Sequence, residues 1–311
     1  MRIILFGSTD FSCEIIDSLL GLNHQLVGLI TLPGRNAGRG LNLKDTPVKI
    51  KADKLNIPVS VFDDLTNKQV EQFLEKQNAD LFLVVAYGKI IPQKILEIPK
   101  VMTLGLHPSL LPKYRGAAPI NWALINGESK TGVTFYKVNK KMDAGDILFQ
   151  EEVLIEVTDN FISLEKKLIE RFSYKLKNVL DDLENNKFNL KVQDDNLATF
   201  AVKISKDSAK ISWQKSSKEI YNLIRGLVPY PCAFFNYQSK RIRVWEAEII
   251  FSNSENKNPG EAVWDKDILR VATKEGVLQI NKLQLENKSV IAARDFINGY
   301  LSKQGKPVIF E

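Results

Sequence analysis

Only two histidines occur among the 311 residues, and one of them, His107, lies in the segment GLHPSLLPKYRGAAPI at 105–120. Imidazole is the side chain whose unperturbed ionisation falls near neutral pH, so it is the natural group for moving a proton. The prolines and glycines around it restrict the backbone and predict a stiff turn that fixes the ring at the mouth of a pocket. A second polar group stands at 141–147, KMDAGDI, where Asp143 and Asp146 flank a glycine turn just before a strand. A carboxylate facing an imidazole orients it and readies it for proton transfer. By itself Asp-Ala-Gly-Asp is ordinary turn chemistry. The other histidine, His24, sits in a polar turn between two apolar runs and reads as a surface residue.

The elements that must position His107 are legible on either side of it. Residues 78–88 hold an apolar run bounded by polar residues and glycine, as expected of a strand buried on both faces. A short helical stretch follows at 91–96, and MTLGLH at 102–107 reads as another strand with His107 at its end. In parallel α/β sheets, chemistry collects at the carboxyl ends of strands. Residues 1–150 alternate strands (2–7, 25–31, 59–62, 81–86, 102–107) with helices (11–20, 47–55, 66–76), which predicts a mostly parallel sheet. Further strands are expected at 131–138 and 146–155. An amphipathic helix is expected over 160–184, with Phe161, Leu164, Leu168, Phe172, Leu176 and Leu180 on its core stripe.

Residues 190–207 are polar and read as a linker between a domain at 1–189 and a second at 208–311. After a short helix near 216–225, the second consists of short strands and turns, as in a small β-barrel. The fold class is therefore α/β: a Rossmann-like, mostly parallel sheet domain followed by a small OB-like barrel. GSTDF at 7–11 lacks the spacing of a phosphate-binding glycine turn. No Cys/His cluster points to a metal, and Cys13 and Cys232 suit reduced thiols. Composition is that of a globular protein, without an apolar run long enough for a membrane span or a signal-peptide pattern. The net charge of +6 is uneven: residues 1–207 hold 27 Lys/Arg against 26 Asp/Glu, and 208–311 hold 16 against 11. A basic C-terminal part predicts contact with a polyanion.

The segment 106–120, together with MDAGDI that follows, resembles the folate-dependent formyltransferases. The resemblance extends to GSTDF near the start, VVAYGKIIP at 84–92 and RIRVWEA at 241–247, so it covers nearly the whole chain. It implies transfer of a formyl group from the co-substrate 10-formyltetrahydrofolate to the amino group of initiator methionyl-tRNA, by a cytoplasmic monomer that needs no metal. His107 then corresponds to the catalytic histidine and Asp143 to its partner. Tyr87, Gly88, Lys89, Ile90 and Ile91, with Ser109, Leu110, Leu111 and Pro112, would line the folate pocket. The stretch 31–44 corresponds to an inserted loop that approaches the tRNA acceptor stem. Its basic residues Arg35, Arg39 and Lys44, with Lys49 and Lys51 beyond, face only Asp45 in the sequence and suit phosphate contact.

The resemblance fails at one catalytic position. The family pattern places an asparagine two residues before the histidine, where this chain has Gly105. Positions two apart in a strand share a face, so that amide would meet the formyl oxygen as it becomes an oxyanion. Loss of one such donor costs about 10²–10³ in rate, or about 3–4 kcal/mol. Weakened transfer is therefore expected, and an asparagine restored at 105 is expected to raise turnover by the same factor. The alternatives are a catalytically impaired homologue that binds tRNA and folate, and a sugar-nucleotide formyltransferase.

Overall fold

The computed structural model describes residues 1–37, 42–250, 258–304 and 307–311. In chain order its first half contains β1 (Arg2–Gly7), α1 (Asp10–Leu20), β2 (Gln25–Thr31), β3 (Arg35–Ala37), β4 (Asn42–Lys44), α2 (Pro47–Leu55) and β5 (Val59–Val61). There follow α3 (Lys68–Lys76), β6 (Leu81–Val85), α4 (Gln93–Leu96), β7 (Met102–His107), β8 (Arg115–Gly116), α5 (Pro119–Ile125), β9 (Lys130–Lys137), β10 (Ile147–Leu154) and α6 (Phe161–Glu184). The chain divides into two compact units: Met1–Pro119, Thr131–Leu154 and Lys166–Ala201 form the first, and the remaining residues the second.

The first unit is built on a seven-stranded sheet of order β10-β9-β7-β6-β1-β2-β5. The pairs β5–β2, β2–β1, β1–β6 and β6–β7 are parallel, and β7–β9 is antiparallel. The arrangement is Rossmann-like. Alternate residues explain its two cores. Ile4, Phe6 and Phe82 point to one face and pack with Val70, Leu74 and Ile95. On Phe172 of α6, Phe11 and Phe135 pack edge-on, with ring centroids 5.8 and 5.3 Å away. Leu164, Leu168, Phe172, Leu176 and Leu180 are fully buried, so the apolar stripe of α6 is core as its spacing predicts from Leu164 onward, while Phe161 at its start is half-buried. The GSTDF turn serves as a helix start: Thr9 and Ser12 form a capping box on α1, and Ser12 Oγ donates to the Val85 carbonyl.

After α6 the chain forms β11 (Phe200–Ala201), which still belongs to the first unit, and then α7 (Ser217–Leu227) of the second, started by a capping box of Ser216 and Glu219. The second unit continues through β12 (Phe234–Tyr237), β13 (Lys240–Ile250), β14 (Glu261–Asp265), β15 (Ile268–Ala272), β16 (Val277–Leu285), β17 (Val290–Ala292) and β18 (Val308–Ile309). Apart from β11 these strands make a barrel-like antiparallel sheet, β12-β13-β16-β15-β14-β18, with β17 on β16. Ile220, Ile224 and Leu227 of α7 join Phe235, Val244, Leu278 and Phe310 in its core.

One expectation changes. His24 is not a surface group: its side chain is 3% exposed, and its Nδ1 lies 3.1 Å from the N-terminal nitrogen. His24, Asp181 and Glu184 bring ligand atoms within 4.8 Å of one another, but the N-terminal ammonium already pairs with Glu184 at 2.8 Å. The turn after His107 runs as far as α5, which starts at Pro119, a residue suited to the first position of a helix. Among the described residues no helix is long and apolar enough to cross a membrane.

Candidate functional site

His107 ends β7 at the carboxyl edge of the parallel sheet and is 4% exposed. The β7–β9 register pairs His107 with Thr134 and Gly105 with Tyr136. These four residues therefore share one face of the sheet. The His107 Nε2 lies 2.8 Å from the Tyr114 carbonyl oxygen. A carbonyl only accepts, so Nε2 carries the proton of the neutral ring and Nδ1 is left as its basic atom. Asp143 Oδ2 stands 3.6 Å from Nδ1. That distance is long for a hydrogen bond, but it places a carboxylate beside the nitrogen that would become charged.

Asp143 is held from several directions. Its Oδ2 accepts from the Gly116 backbone N–H at 2.8 Å, and its Oδ1 accepts from the Tyr136 hydroxyl at 2.7 Å. The Tyr136 hydroxyl is pushed well above its ordinary ionisation range by burial and then by Asp143, so it remains a donor. Behind the turn, Gln193 Nε2 donates to the backbone carbonyls of Asp143 and Gly145 at 2.9 and 2.6 Å. Arg115 in turn donates to Gln193 Oε1 and to Asp195 Oδ1. A Cβ at Gly145 would lie 1.6 Å from the Lys137 carbonyl, so the turn closes on β9 only with glycine there. Asp143 and Tyr114 both have left-handed backbone, at φ 51° and 60°. Such outliers need support from their surroundings, which the Gln193 and Thr199 contacts supply; Thr199 Oγ1 accepts from the Tyr114 N–H at 2.8 Å.

The loops flanking the histidine leave the same edge of the sheet, because β6 and β7 run parallel. Strand order reverses between β1 and β6, and clefts in such sheets open at that point. After β7, Ser109 is fully buried and donates to the Lys113 carbonyl, while Thr134 donates to the Ser109 carbonyl. Gln150 donates to Leu111 from β10. Ser109, Leu110, Leu111 and Pro112 thus form a fixed wall. After β6, Tyr87 is 2% exposed, and its hydroxyl finds no partner among the described residues. Burial, and secondarily Asp63, pushes that hydroxyl up to about 12. An orphaned buried hydroxyl fits a polar ligand that would complete it. Gly88 adopts a left-handed φ of 89°, Lys89 pairs with Asp63, Ile90 is exposed and Ile91 buried. Among the described residues no hydrogen bond or ion pair joins 87–91 to His107 or Asp143. A pocket of ≈ 350 Å³ lies beside Leu111 and Pro112, walled by Phe149, Gln150 and Gln193, and it does not reach the histidine.

Gly105 brings the main correction to the sequence reading. A Cβ there would sit 2.6 Å from the Cε1 and Cζ atoms of Tyr136. The space that an asparagine at 105 would need is filled by a buried phenol. Of the basic residues, Arg35 and Lys44 are exposed and face each other across the β3–β4 pair. Lys49 and Lys51 do not face only Asp45, because they pair with Asp53 and Asp17 at 2.5 and 2.6 Å. Arg39 lies outside the described residues. Sequence reasoning did not find Tyr136, Arg115 or Gln193. The alternation of β9 already placed Tyr136 on the face of Thr134, but nothing in the sequence gave the register against β7.

Residues 1–180 match the family described as formyl transferase, and residues 203–301 match the formyl transferase C-terminal domain. The chain belongs to the formyl transferase family. A methionyl-tRNA formyltransferase from Sulfurihydrogenibium sp. (strain YO3AOP1) is 40% identical over 309 residues, covering 98% of this chain and 99% of the relative. The crystal structure of HypX from Aquifex aeolicus in complex with tetrahydrofolic acid matches with a TM-score of 0.68 at 16% identity, over 100% of this chain and 50% of HypX. The sugar 3N-formyl transferase WlaRD, solved in the presence of dTDP and 5-N-formyl-THF, matches with a TM-score of 0.66 at 18% identity, over 93% of this chain and 99% of WlaRD. These two structures speak for the fold alone, and this chain spans half the length of HypX.

Proposed function

We propose that the protein is a methionyl-tRNA formyltransferase, a cytoplasmic monomer that moves a formyl group from 10-formyltetrahydrofolate to the amino group of initiator methionyl-tRNA. One observation carries the reading: a His107–Asp143 pair at the carboxyl end of a parallel strand, in a chain 40% identical over nearly its whole length to a relative of that name. The acceptor amine attacks the formyl carbon, a new N–C bond forms, and the bond from that carbon to the folate nitrogen breaks. The attacking amine must lose a proton. His107 Nδ1 is the ring atom able to take it, since Nε2 already donates to the Tyr114 carbonyl. Asp143 then stabilises the imidazolium that results, and the imidazolium gives that proton to the folate nitrogen as its bond to the formyl carbon breaks. Tyr87–Ile91 and Ser109–Pro112 form the walls for the folate, with the unpartnered Tyr87 hydroxyl completed by it. Arg35 and Lys44 of the β3–β4 hairpin and the basic C-terminal part meet the RNA backbone.

The test is a turnover assay with methionyl initiator tRNA and labelled formyl donor, against a dTDP-amino sugar as the competing acceptor. Formylated tRNA is expected. Formylation of the sugar alone would assign the protein to the other branch of acceptors. Tight folate and tRNA binding without turnover would make it a binding homologue.

A further inference from the structure

Gly105 and Tyr136 oppose each other across the β7–β9 ladder. A Cβ on residue 105 would lie 2.6 Å from two ring carbons of Tyr136 and 2.9 Å from its hydroxyl oxygen. The ring cannot move aside cheaply, because it is 6% exposed and its hydroxyl is bonded to Asp143 Oδ1 at 2.7 Å. The phenol therefore occupies the volume that any side chain at 105 would take. From there it delivers its one O–H to the carboxylate facing His107.

We propose that Tyr136 is a positioning residue for formyl transfer, acting as a unit with Gly105: the glycine admits the ring, and the ring's hydroxyl holds Asp143 in place beside His107. Each carboxylate oxygen then has its own tether. Oδ2 takes the Gly116 N–H, and Oδ1 takes the phenol. Without the phenol, Asp143 keeps a single side-chain tether and can rotate about it. The hydroxyl stays protonated throughout, because burial and the neighbouring carboxylate oppose its ionisation. The edge-on packing of Tyr136 against the His107 ring, with centroids 6.5 Å apart, ties the same residue to both members of the pair. This inference rests on the formyl-transfer reading above.

The experiment compares the full-length parent with Tyr136→Phe, Gly105→Ala and the double variant. Tyr136→Phe keeps the ring and removes the O–H. A hydrogen bond to a charged group is worth enough that kcat is expected to fall about 10- to 100-fold, with KM for both substrates within about twofold. Gly105→Ala is expected to fall similarly, because its methyl displaces the same hydroxyl. The double variant is expected to be no worse than either single one, since the bond can be lost only once. Parent-like kcat in Tyr136→Phe, or losses that simply add, would overturn the proposal. If Gly105→Ala does not fold, Tyr136→Phe decides alone. A parent without turnover would count against the functional reading, so a second readout is independent of it. In a crystal structure of Tyr136→Phe the Asp143 carboxylate is expected to turn about its Gly116 tether and leave His107 Nδ1, whereas in the parent its Oδ2 stands 3.6 Å from that atom. An unmoved Asp143 carboxylate overturns the positioning role even then.

Discussion

At the scale of single residues, three side chains carry separate consequences. His107→Ala removes the group proposed to take the amine proton. Turnover should fall by about 10²–10⁴, the usual span for a general base, with Asp143→Asn close behind and folate affinity retained in both; a His107→Ala variant as fast as the parent would remove the histidine from the mechanism. For Gly105→Asn the structure reverses the expectation drawn from resemblance. The amide cannot enter while Tyr136 fills the space, so turnover should drop rather than rise, and a gain in kcat would show that the ring yields. Tyr87 supplies a pH test. Its hydroxyl is pushed up to about 12, above the value near 10 of an exposed tyrosine. The unfolded chain therefore releases that proton first. Stability from this group is intact below pH 10 and declines as pH climbs toward 12. Tyr87→Phe should flatten part of that decline in thermal melts. It should also weaken binding of a formyl-folate analogue if the orphaned hydroxyl serves the ligand, and unchanged affinity would assign Tyr87 to packing alone.

At the scale of elements, the site is a strand end, a turn and a supporting clamp, and these were unequally legible. The strands β6 and β7 announced themselves as short strands, and the turn at 141–147 as two aspartates around a glycine just before a strand. Their signal is local, because burial on both faces leaves a continuous apolar run. The clamp left no such signal. Gln193 and Asp195 lie in the polar stretch 190–207, which was expected to be a linker. Polar composition reads as loop, and the two-residue pairing of β8 with β11 is too short to show a period. Tyr136 was hidden for a different reason: its neighbour across the ladder is fixed by register, which a single strand does not encode. The clamp gives its own prediction. Gln193→Leu keeps volume but removes both donors to the Asp143 and Gly145 carbonyls and leaves Arg115 with only Asp195. Because the Asp143 backbone is left-handed, the turn should relax. A clear loss of kcat is expected, along with a stability cost of about 1–3 kcal/mol for the stranded buried groups. A variant with parent kcat would show that Gly145 alone holds the turn.

At the scale of the whole molecule, the question is what the excess positive charge does. The imbalance lies in residues 208–311, with 16 Lys/Arg against 11 Asp/Glu, and in one small hairpin. On that hairpin Arg35 and Lys44 sit directly opposite each other, an arrangement that costs free energy in isolation. Neither has an ion-pair partner among the described residues. Two cations held face to face become favourable once a polyanion lies across them. Lys49 and Lys51 are already matched by Asp53 and Asp17, so they offer a control within the same region. Each phosphate contact adds about 0.7–0.9 to the slope of log affinity against log salt. Replacing Arg35 and Lys44 with glutamine should lower that slope for initiator tRNA by up to that amount for each residue and weaken binding most at low salt, while folate affinity stays as it was. Replacing Lys49 and Lys51 should change the slope much less, because their charge is already compensated within the chain. Equal effects from the two pairs would mean that local ion pairing does not decide which basic residues meet the RNA. No effect from Arg35 and Lys44 would leave the polyanion contact to the basic C-terminal part alone.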